Sequence, residues 1–258
     1  MVLTIDIGNS TIAVGGYCGD QLRFLANLRT DRLKTADEYA VLFKSTLELH
    51  ECSPREITGA ILASVVPSLV APIRQAILLL SGADSLVVGP GIKTGLNIRI
   101  DDPAQLGTDF VCVSVAAIHK FSCPLIVFEM DTATTIAAIN RDRQFIGGAI
   151  LPGVKISLDA LSQRTAQLTQ ISLDQPPASV VGKNTADSMK SGVFFGTASM
   201  IDGMIERYRE VLGDGMTAVA TGSLAQPILP LCRHKVVYDP NLTLEGLRIL
   251  YQKNADPI

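Results

Sequence analysis

The chain repeats one short pattern, and this repeat constrains its fold more than any other feature. Residues 5–11 (IDIGNST) align without a gap to residues 128–134 (FEMDTAT). In each copy an apolar run ends at a carboxylate and continues through a small polar turn into an alternating run, which is typical of an antiparallel hairpin. The repeat therefore predicts two similar halves. Two short hairpins can also match by chance, and the pattern alone leaves that alternative open.

The first copy opens a longer series of predicted elements. Alternating runs between residues 2 and 29, separated by turn residues, predict a three-stranded antiparallel meander. Thr35 is suited to cap a helix over residues 36–50. The apolar stretch at residues 57–66 predicts a buried strand, and Pro67 then suits the first turn of another helix. The predicted order of this half is βββαβα.

The second copy predicts the same series again. An apolar run at residues 124–128, an alternating run at 134–140 and a short run at 144–146 predict a second meander. Helices are expected near residues 152–168 and 186–212, a strand over 216–220 and a last helix over 244–253. The two meanders thus each begin a half of the chain.

The boundary between the halves is predicted after a helix over residues 109–120. We expect an N-terminal half over residues 1–121, a C-terminal half over residues 122–258 and a cleft between them. At 258 residues, with 47% hydrophobic and 18% charged residues, the chain is long and apolar enough to bury a sizeable core.

Charge and hydropathy exclude several classes of partner. The 22 basic and 25 acidic residues form no basic stripe, so nucleic acid is not expected. We expect no membrane partner, because no apolar run approaches the ~20 residues that span a bilayer. The five cysteines lack CxxC spacing and the N-terminus lacks a basic leader, so we expect a soluble, cytoplasmic protein. The three histidines occur singly and are interpreted as structural.

The first repeated turn is the most informative segment. Gly8, Asn9, Ser10 and Thr11 can present backbone N–H groups and hydroxyls to phosphate oxygens. Asp6, at the end of the preceding strand, can hold Mg²⁺ directly or through water. A phosphate site beside a metal site predicts nucleotide binding. An ordinary hairpin with a type I′ turn would also explain the glycine and asparagine, and the sequence leaves it open.

Other segments add possible site residues. The second turn, at residues 129–135, strengthens the prediction of a nucleotide site because it resembles the first. Asp109 lies at a predicted helix start, where a carboxylate either stabilises the helix or accepts the proton of an attacking hydroxyl. The glycines of residues 147–153 form either a plain turn or a close approach to a ligand. Residues 221–223 follow a strand, where α/β proteins bind nucleotides.

Taken in order, these segments resemble the type III pantothenate kinases, members of the acetate and sugar kinase/Hsp70/actin superfamily. The resemblance spans nearly the whole chain and rests on residues 6–10, 91–98, 102–107, 132–135, 147–150, 152–153, 164–168, 182–185, 191–192 and 242–247. It implies an α/β fold of two βββαβα, actin-like (ribonuclease H-like) halves with a nucleotide cleft. It also implies ATP-dependent phosphorylation of pantothenate, the first step of coenzyme A biosynthesis, by a homodimer that requires Mg²⁺ and a monovalent cation, K⁺ or NH₄⁺.

The resemblance also implies roles for individual residues. Asp109 would be the catalytic base, Asp6 would serve the metal, and Glu129 would be the carboxylate of the monovalent-cation site. The residues expected to bind ATP are Asp6, Gly8, Asn9, Ser10, Thr11, Thr132, Thr134 and Gly222. The residues expected to bind pantothenate are Ile100, Gly107, Thr108, Phe110, Gly148 and Thr185, the last reached from the partner subunit.

Four positions depart from the family pattern. Phe110 replaces an arginine that would pair with the pantothenate carboxylate, so a charged bidentate contact is lost. Ile100 replaces a tyrosine, Glu129 an aspartate and Asp131 a glycine near the nucleotide. A carboxylate ~4 Å from phosphate oxygens costs about 1–4 kcal/mol per charge pair. Two functions stay open: a kinase for pantothenate or a related hydroxyl compound with a more apolar end, or a non-catalytic paralogue that binds nucleotide or a protein partner.

Overall fold

The computed structural model describes residues 1–255, which form two β-sheets with both parallel and antiparallel strands, together with the helices that cover them. The strands are β1 Val2–Ile7, β2 Thr11–Cys18, β3 Gln21–Arg29, β4 Gly59–Ser64, β5 Ser85–Val87, β6 Asn97–Ile98, β7 Leu125–Met130, β8 Ala133–Ile139, β9 Gln144–Pro152, β10 Thr217–Thr221 and β11 Val237–Tyr238. The α-helices are α1 Ala36–Leu49, α2 Pro67–Ser81, α3 Thr108–Lys120, α4 Val154–Arg164, α5 Thr185–Leu212, α6 Ala225–Ile228 and α7 Leu242–Asn254. Among residues 1–255, no helix combines the length and apolar character needed to cross a bilayer.

The chain divides into two compact units. The first contains residues 1–95, residues 102–116 and the C-terminal segment from Asn241. The second contains residues 96–101 and 117–240. Each sheet carries its own cluster of buried apolar side chains, so each unit has its own hydrophobic core.

The sheet of the first unit has the strand order β3-β2-β1-β4-β5. Strands β1 to β3 form an antiparallel meander, while β4 and β5 run parallel to β1. Leu3, Ile5 and Ile7 of β1 are buried in the core, as alternation along a strand requires. Helix α1 begins at a capping box in which the Thr35 hydroxyl accepts from the backbone N–H of Glu38. The predicted meander and helix cap are confirmed.

The sheet of the second unit has the strand order β11-β10-β7-β8-β9-β6 and repeats the same plan. Strands β7 to β9 form the predicted second meander, and β10 runs parallel to β7. This confirms the predicted α/β class with two similar halves. Strands β5, β6 and β11 and helix α6 were not predicted, because elements of two to four residues are too short to show a period.

Helix α7 packs in the first unit, where it contacts β1, β2 and β4. The division predicted after residue 121 had assigned this helix to the second half. A Cβ added to Gly246 would lie 2.0 Å from the carbonyl oxygen of Cys112, so α7 meets the backbone of α3. The buried Arg248 donates a 2.5 Å hydrogen bond to Asp20 and lies over the ring of Tyr17. Helix α7 therefore fixes α3, whose first turn carries the predicted base.

We expect Gly246→Ala to lower the free energy of unfolding by about 1–3 kcal/mol, the usual cost of overpacking. The loss should appear although alanine is the better helix former by ~1 kcal/mol. The matched control is Gly203→Ala in α5, where an added Cβ meets nothing within 4 Å. Urea denaturation measures both variants. A Gly246→Ala protein as stable as the control would contradict the proposed contact between α7 and α3.

Candidate active site

The predicted metal carboxylate lies at the C-terminal end of β1. Asp6 is paired with Ala13 of β2 on one side and with Ala63 of β4 on the other, and it is half-exposed. Pairing on both sides holds the backbone of Asp6 in place. The end of a parallel strand pair is also where α/β sheets bind ligands.

The turn after β1 differs from an ordinary two-residue hairpin. The backbone N–H of Gly8 donates to the carbonyl of Thr11 at 3.0 Å, and Asn9 and Ser10 are exposed at the tip. Neither Asn9 nor Ser10 has a positive φ, whereas a type I′ turn requires it at both central residues. The type I′ interpretation is therefore wrong. A Cβ on Gly8 would lie only 2.9 Å from the Thr11 oxygen, which explains the glycine.

The segment that follows β3 supports this turn. The Thr30 hydroxyl donates to the Gly8 carbonyl at 2.7 Å, and the Thr30 N–H donates to the Ser10 carbonyl at 3.1 Å. Arg32 Nη2 donates to Asn9 Oδ1 at 2.9 Å. Neither Thr30 nor Arg32 is among the residues predicted from the sequence. A signal was present, because a meander returns the end of β3 to the turn between β1 and β2.

The predicted base lies in the first turn of α3. Asp109 is half-buried and its Oδ1 accepts from the Thr108 hydroxyl at 3.4 Å. Gly107 and Phe110 flank this pair in the first unit, and the Phe110 ring is half-buried. Ile100 belongs to the second unit. The structure thus places four of the predicted substrate and base residues together at one helix start.

In the second unit, the predicted cation carboxylate lies at the end of β7. Glu129 is 7% exposed and is paired with Thr135 of β8 and Thr221 of β10. The Thr135 hydroxyl donates to Glu129 Oε2 at 3.4 Å. Glu129 therefore occupies in its sheet the place that Asp6 occupies in the first, but it is more deeply buried.

Two glycines pack against the second turn. A Cβ on Gly153 would lie 2.2 Å from the Thr132 carbonyl oxygen. A Cβ on Gly222, whose φ is +92°, would lie 2.4 Å from the Met130 carbonyl oxygen. The structure therefore brings the predicted nucleotide residue Gly222 to this turn. Gly148 instead lies in the middle of β9.

Asp131 places a negative charge in the second turn. Its backbone N–H donates to the Ala133 carbonyl at 3.0 Å. Asp131 is exposed as a residue, but the surrounding protein partly desolvates its carboxyl and raises the pKa of Asp131, while Lys155 opposes that shift. Burial raises the pKa of Tyr238, and the nearby carboxylates Asp239 and Asp131 raise it further. The Tyr238 hydroxyl donates to the Gly222 carbonyl at 3.3 Å.

Thr134 and Thr185 line one cavity of about 610 Å³ in the second unit. Much of its wall is apolar, with Leu151 from β9 and Val154 from α4. Gly192 and other small residues of α5 form another part of the wall. The volume is within the range of small-molecule sites. The structure thus brings one predicted ATP residue and one predicted pantothenate residue to a common cavity.

The first turn fits a nucleotide with its Mg²⁺. Within residues 1–255, no group of three or more His, Cys, Asp or Glu side chains could hold a metal by itself. Mg²⁺ is usually held by one or two carboxylates together with substrate phosphate oxygens and water. One half-exposed carboxylate, Asp6, beside an exposed polar turn meets that requirement.

Comparison with known proteins decides the family. The sequence model described as type III pantothenate kinase matches residues 2–207. The chain belongs to the type III pantothenate kinase family. It is 42% identical over 254 residues to the type III pantothenate kinase of an Exiguobacterium species, covering 98% of this chain and 99% of that one. The Brevibacillus brevis enzyme is 43% identical over 256 residues, with the same coverage.

Solved structures of other proteins share the fold. The activator of 2-hydroxyisocaproyl-CoA dehydratase from Clostridium difficile, solved with ADPNP, has a TM-score of 0.55 at 9% identity and covers 100% of this chain and 98% of its own. A candidate N-acetylglucosamine kinase of Porphyromonas gingivalis has a TM-score of 0.51 at 12% identity, covering 98% of this chain and 99% of its own. These likenesses concern the fold alone, and they confirm the predicted actin-like class.

For this member of the family, we expect Asp131→Gly to bind MgATP at least about fivefold more tightly at pH 7.5, because a charge repulsion of ~1 kcal/mol or more is removed. The raised pKa of Asp131 sets the sign of the pH dependence. As the pH falls from neutral towards the ordinary carboxyl value of about 3.9, the carboxyl is protonated and the advantage of the variant should shrink. Calorimetry at several pH values measures both proteins.

The control is Asp131→Asn, which keeps the size of the side chain and removes its charge. It should reproduce most of the gain at pH 7.5. An affinity ratio between Asp131→Gly and the unaltered protein that does not change with pH would contradict an electrostatic effect of Asp131.

Proposed function

We propose that this protein transfers the γ-phosphoryl group of ATP to pantothenate, giving 4′-phosphopantothenate and ADP, the first step of coenzyme A biosynthesis. The observation that carries the proposal is family membership over nearly the whole chain, with curated relatives above 40% identity. The turn after Asp6 and the carboxylate at Asp109 supply the groups that such a transfer needs.

Nucleotide contacts are proposed for residues of each unit. Residues 8–11 of the first unit would contact phosphates through backbone N–H groups and polar side chains. In the second unit, Thr132, Thr134 and Gly222 would contact nucleotide. Asp6 would hold Mg²⁺, which supplies positive charge to the phosphates when bound. The close approaches at Gly8 and Gly222 require glycine, so no side chain projects from these two positions.

Asp109 would act as the general base. The hydroxyl oxygen of the substrate forms a bond to the γ-phosphorus, and the bond from that phosphorus to the bridging oxygen of ADP breaks. The hydroxyl proton passes to the carboxylate of Asp109. The first turn of α3 favours a negative charge at this position. Thr108, which donates to Asp109, would hold the carboxylate in its orientation.

The substrate would lie against Gly107, Thr108, Phe110, Ile100 and Gly148. Phe110 and Ile100 favour a second candidate substrate, a hydroxyl compound with a less acidic and more apolar end, because neither can pair with a carboxylate. The reaction and its base would be the same. A non-catalytic paralogue that binds nucleotide or a protein partner is the third possibility, and the presence of Asp109 argues against it.

Glu129 would hold the monovalent cation, K⁺ or NH₄⁺. Its carboxylate is buried, and two threonines, Thr135 and Thr221, are its partners in the neighbouring strands. Carboxylate and hydroxyl oxygens are suitable ligands for K⁺ and acceptors for NH₄⁺. A bound cation would also offset the cost of burying this charge.

The protein would act as a homodimer, with Thr185 reaching the substrate of the partner subunit. Large apolar side chains of the second unit are exposed, including Ile150 (72%), Val180 (62%) and Val181 (68%). The family resemblance supports a second copy of the chain as the partner that covers these side chains. Sedimentation equilibrium at micromolar concentration tests this assembly, and a monomer would contradict the role proposed for Thr185.

We expect the protein to form phosphopantothenate in a coupled assay with MgATP and KCl, and Asp109→Asn to lower kcat by about 100-fold or more, since general bases contribute about that much. The affinity for MgATP should change little. The matched control is Asp102→Asn, whose carboxylate caps the short helix Pro103–Gln105 by accepting from Ala104 N–H. Full activity in Asp109→Asn would exclude it as the base. A protein that binds MgATP but phosphorylates nothing would support the non-catalytic possibility.

We expect the double variant Ile100→Tyr/Phe110→Arg to lower the KM for pantothenate about tenfold or more, because a hydrogen bond to a charged group contributes about 1.5–3 kcal/mol. The KM for MgATP should stay within about twofold, since neither residue belongs to the proposed phosphate site. Steady-state kinetics with each substrate varied in turn measures both constants. A higher KM for pantothenate in the double variant would favour the substrate with the apolar end.

A further inference from the structure

We propose that Arg32 is a positioning residue that orients the side-chain amide of Asn9, so that the amide nitrogen faces the phosphates of the bound nucleotide. The inference rests on the proposed function, because it assumes that the turn at residues 8–11 binds phosphate. It assigns to a residue outside that turn a role in nucleotide affinity.

The contact itself determines the orientation of the amide. Arg32 Nη2 lies 2.9 Å from Asn9 Oδ1, and both side chains are exposed in the first unit. A guanidinium can only donate hydrogen bonds, so the atom that faces it must be the amide oxygen. The other branch of the amide, Nδ2, then points away from Arg32. Within residues 1–255, the Asn9 side chain makes no other hydrogen bond.

The orientation matters because phosphate oxygens can only accept hydrogen bonds. With Oδ1 occupied by Arg32, Asn9 presents the two N–H groups of Nδ2 to a ligand at the turn. If the amide were reversed, its oxygen would face the phosphates and repel them. Without Arg32 the two orientations would be populated according to solvent alone. Arg32 therefore prepares a donor before the nucleotide binds, which saves the ordering cost at binding.

The segment that carries Arg32 is itself fixed. Thr30 is bonded to the turn through the carbonyls of Gly8 and Ser10. The Tyr39 hydroxyl of α1 donates to the Asp31 carbonyl at 2.7 Å and accepts from the Asp31 N–H at 3.3 Å. Tyr39 is fully buried in the core. The backbone before Arg32 is thus held between the turn and α1, so the guanidinium is placed beside Asn9 by the fold.

A direct effect of the Arg32 charge on the phosphates is the competing explanation, and a double-mutant cycle separates the two. The cycle compares Arg32→Met, Asn9→Ala and the double variant, with calorimetric binding of the magnesium complex of a non-hydrolysable ATP analogue as the readout. We expect Asn9→Ala to weaken binding about 10-fold, as for one hydrogen bond to a charged group. Arg32→Met loses only the pre-ordering of the amide and should weaken binding about three- to tenfold. In the Asn9→Ala background, Arg32→Met should change affinity by less than about twofold. Additive losses would show that Arg32 acts through its charge, and would overturn the proposal.

Arg29 provides the matched control. It is the cross-strand partner of Thr11, so its charge also lies beside the turn, but in the described part of the chain its side chain makes no hydrogen bond to Asn9. A cycle between Arg29→Met and Asn9→Ala should be additive. Coupling as large as that of the Arg32 cycle would show a general effect of charge at this turn, and the proposal would fail.

Asn9→Asp tests the orientation directly. Aspartate keeps the shape of the side chain and the contact with Arg32, but it has no N–H group to donate. We expect it to weaken binding of the analogue at least as much as Asn9→Ala. Equal or tighter binding by Asn9→Asp would mean that an oxygen of residue 9 faces the ligand, which overturns the inference.

Further readouts distinguish positioning from a general defect. Arg32→Lys keeps one donor group for Oδ1 and should recover part of the affinity lost in Arg32→Met. In each active Arg32 variant, kcat at saturating MgATP should stay within about twofold of the unaltered protein. Because Arg32 is exposed, the melting temperature should also be preserved. If the unaltered protein fails to bind the analogue, the proposed function fails as well. If it binds and Arg32→Met binds equally well, only the role of Arg32 is wrong.

Discussion

Each sheet depends on the first strand of its meander, which is paired on both sides. β1 pairs antiparallel with β2 and parallel with β4, and β7 pairs in the same way with β8 and β10. Backbone hydrogen bonds on both edges leave such a strand little freedom to shift, so the carboxylates at its end, Asp6 and Glu129, keep fixed positions. The turns that follow begin from those fixed points. The rest of the site is arranged around them.

Close backbone contacts also hold the other segments of the proposed site, α3 and the second turn. Gly246 of α7 touches the backbone of α3, while Gly153 and Gly222 touch the backbone of the second turn. In each place a Cβ would overlap a carbonyl oxygen, and main-chain atoms cannot move aside as the end of a long side chain can. These backbone contacts therefore help to set the positions of α3 and of the second turn.

The two repeated turns differ in charge, although they share a position in their sheets. The first turn has two arginines beside it, Arg32 in contact with Asn9 and Arg29 opposite Thr11. The second has the carboxylates of Glu129 and Asp131, one buried and one desolvated. The second turn is also one residue shorter, because Met130 pairs with Thr134 whereas Ile7 pairs with Ile12. The first turn thus has positively charged side chains beside it, and the second has negatively charged ones.

Both meanders, the cap at Thr35 and the polar turn after Asp6 follow from the order of the amino acids, because alternation, capping and turn chemistry act between residues close in the chain. Three features depend on the folded chain instead: α7 joins the first unit, the turn is not type I′, and Arg32 contacts Asn9. The two residues of that contact are 23 positions apart. Such contacts depend on which strands pair in the sheet, because pairing brings distant residues together. They also depend on packing between backbone atoms, which produces no pattern of residue types in the sequence.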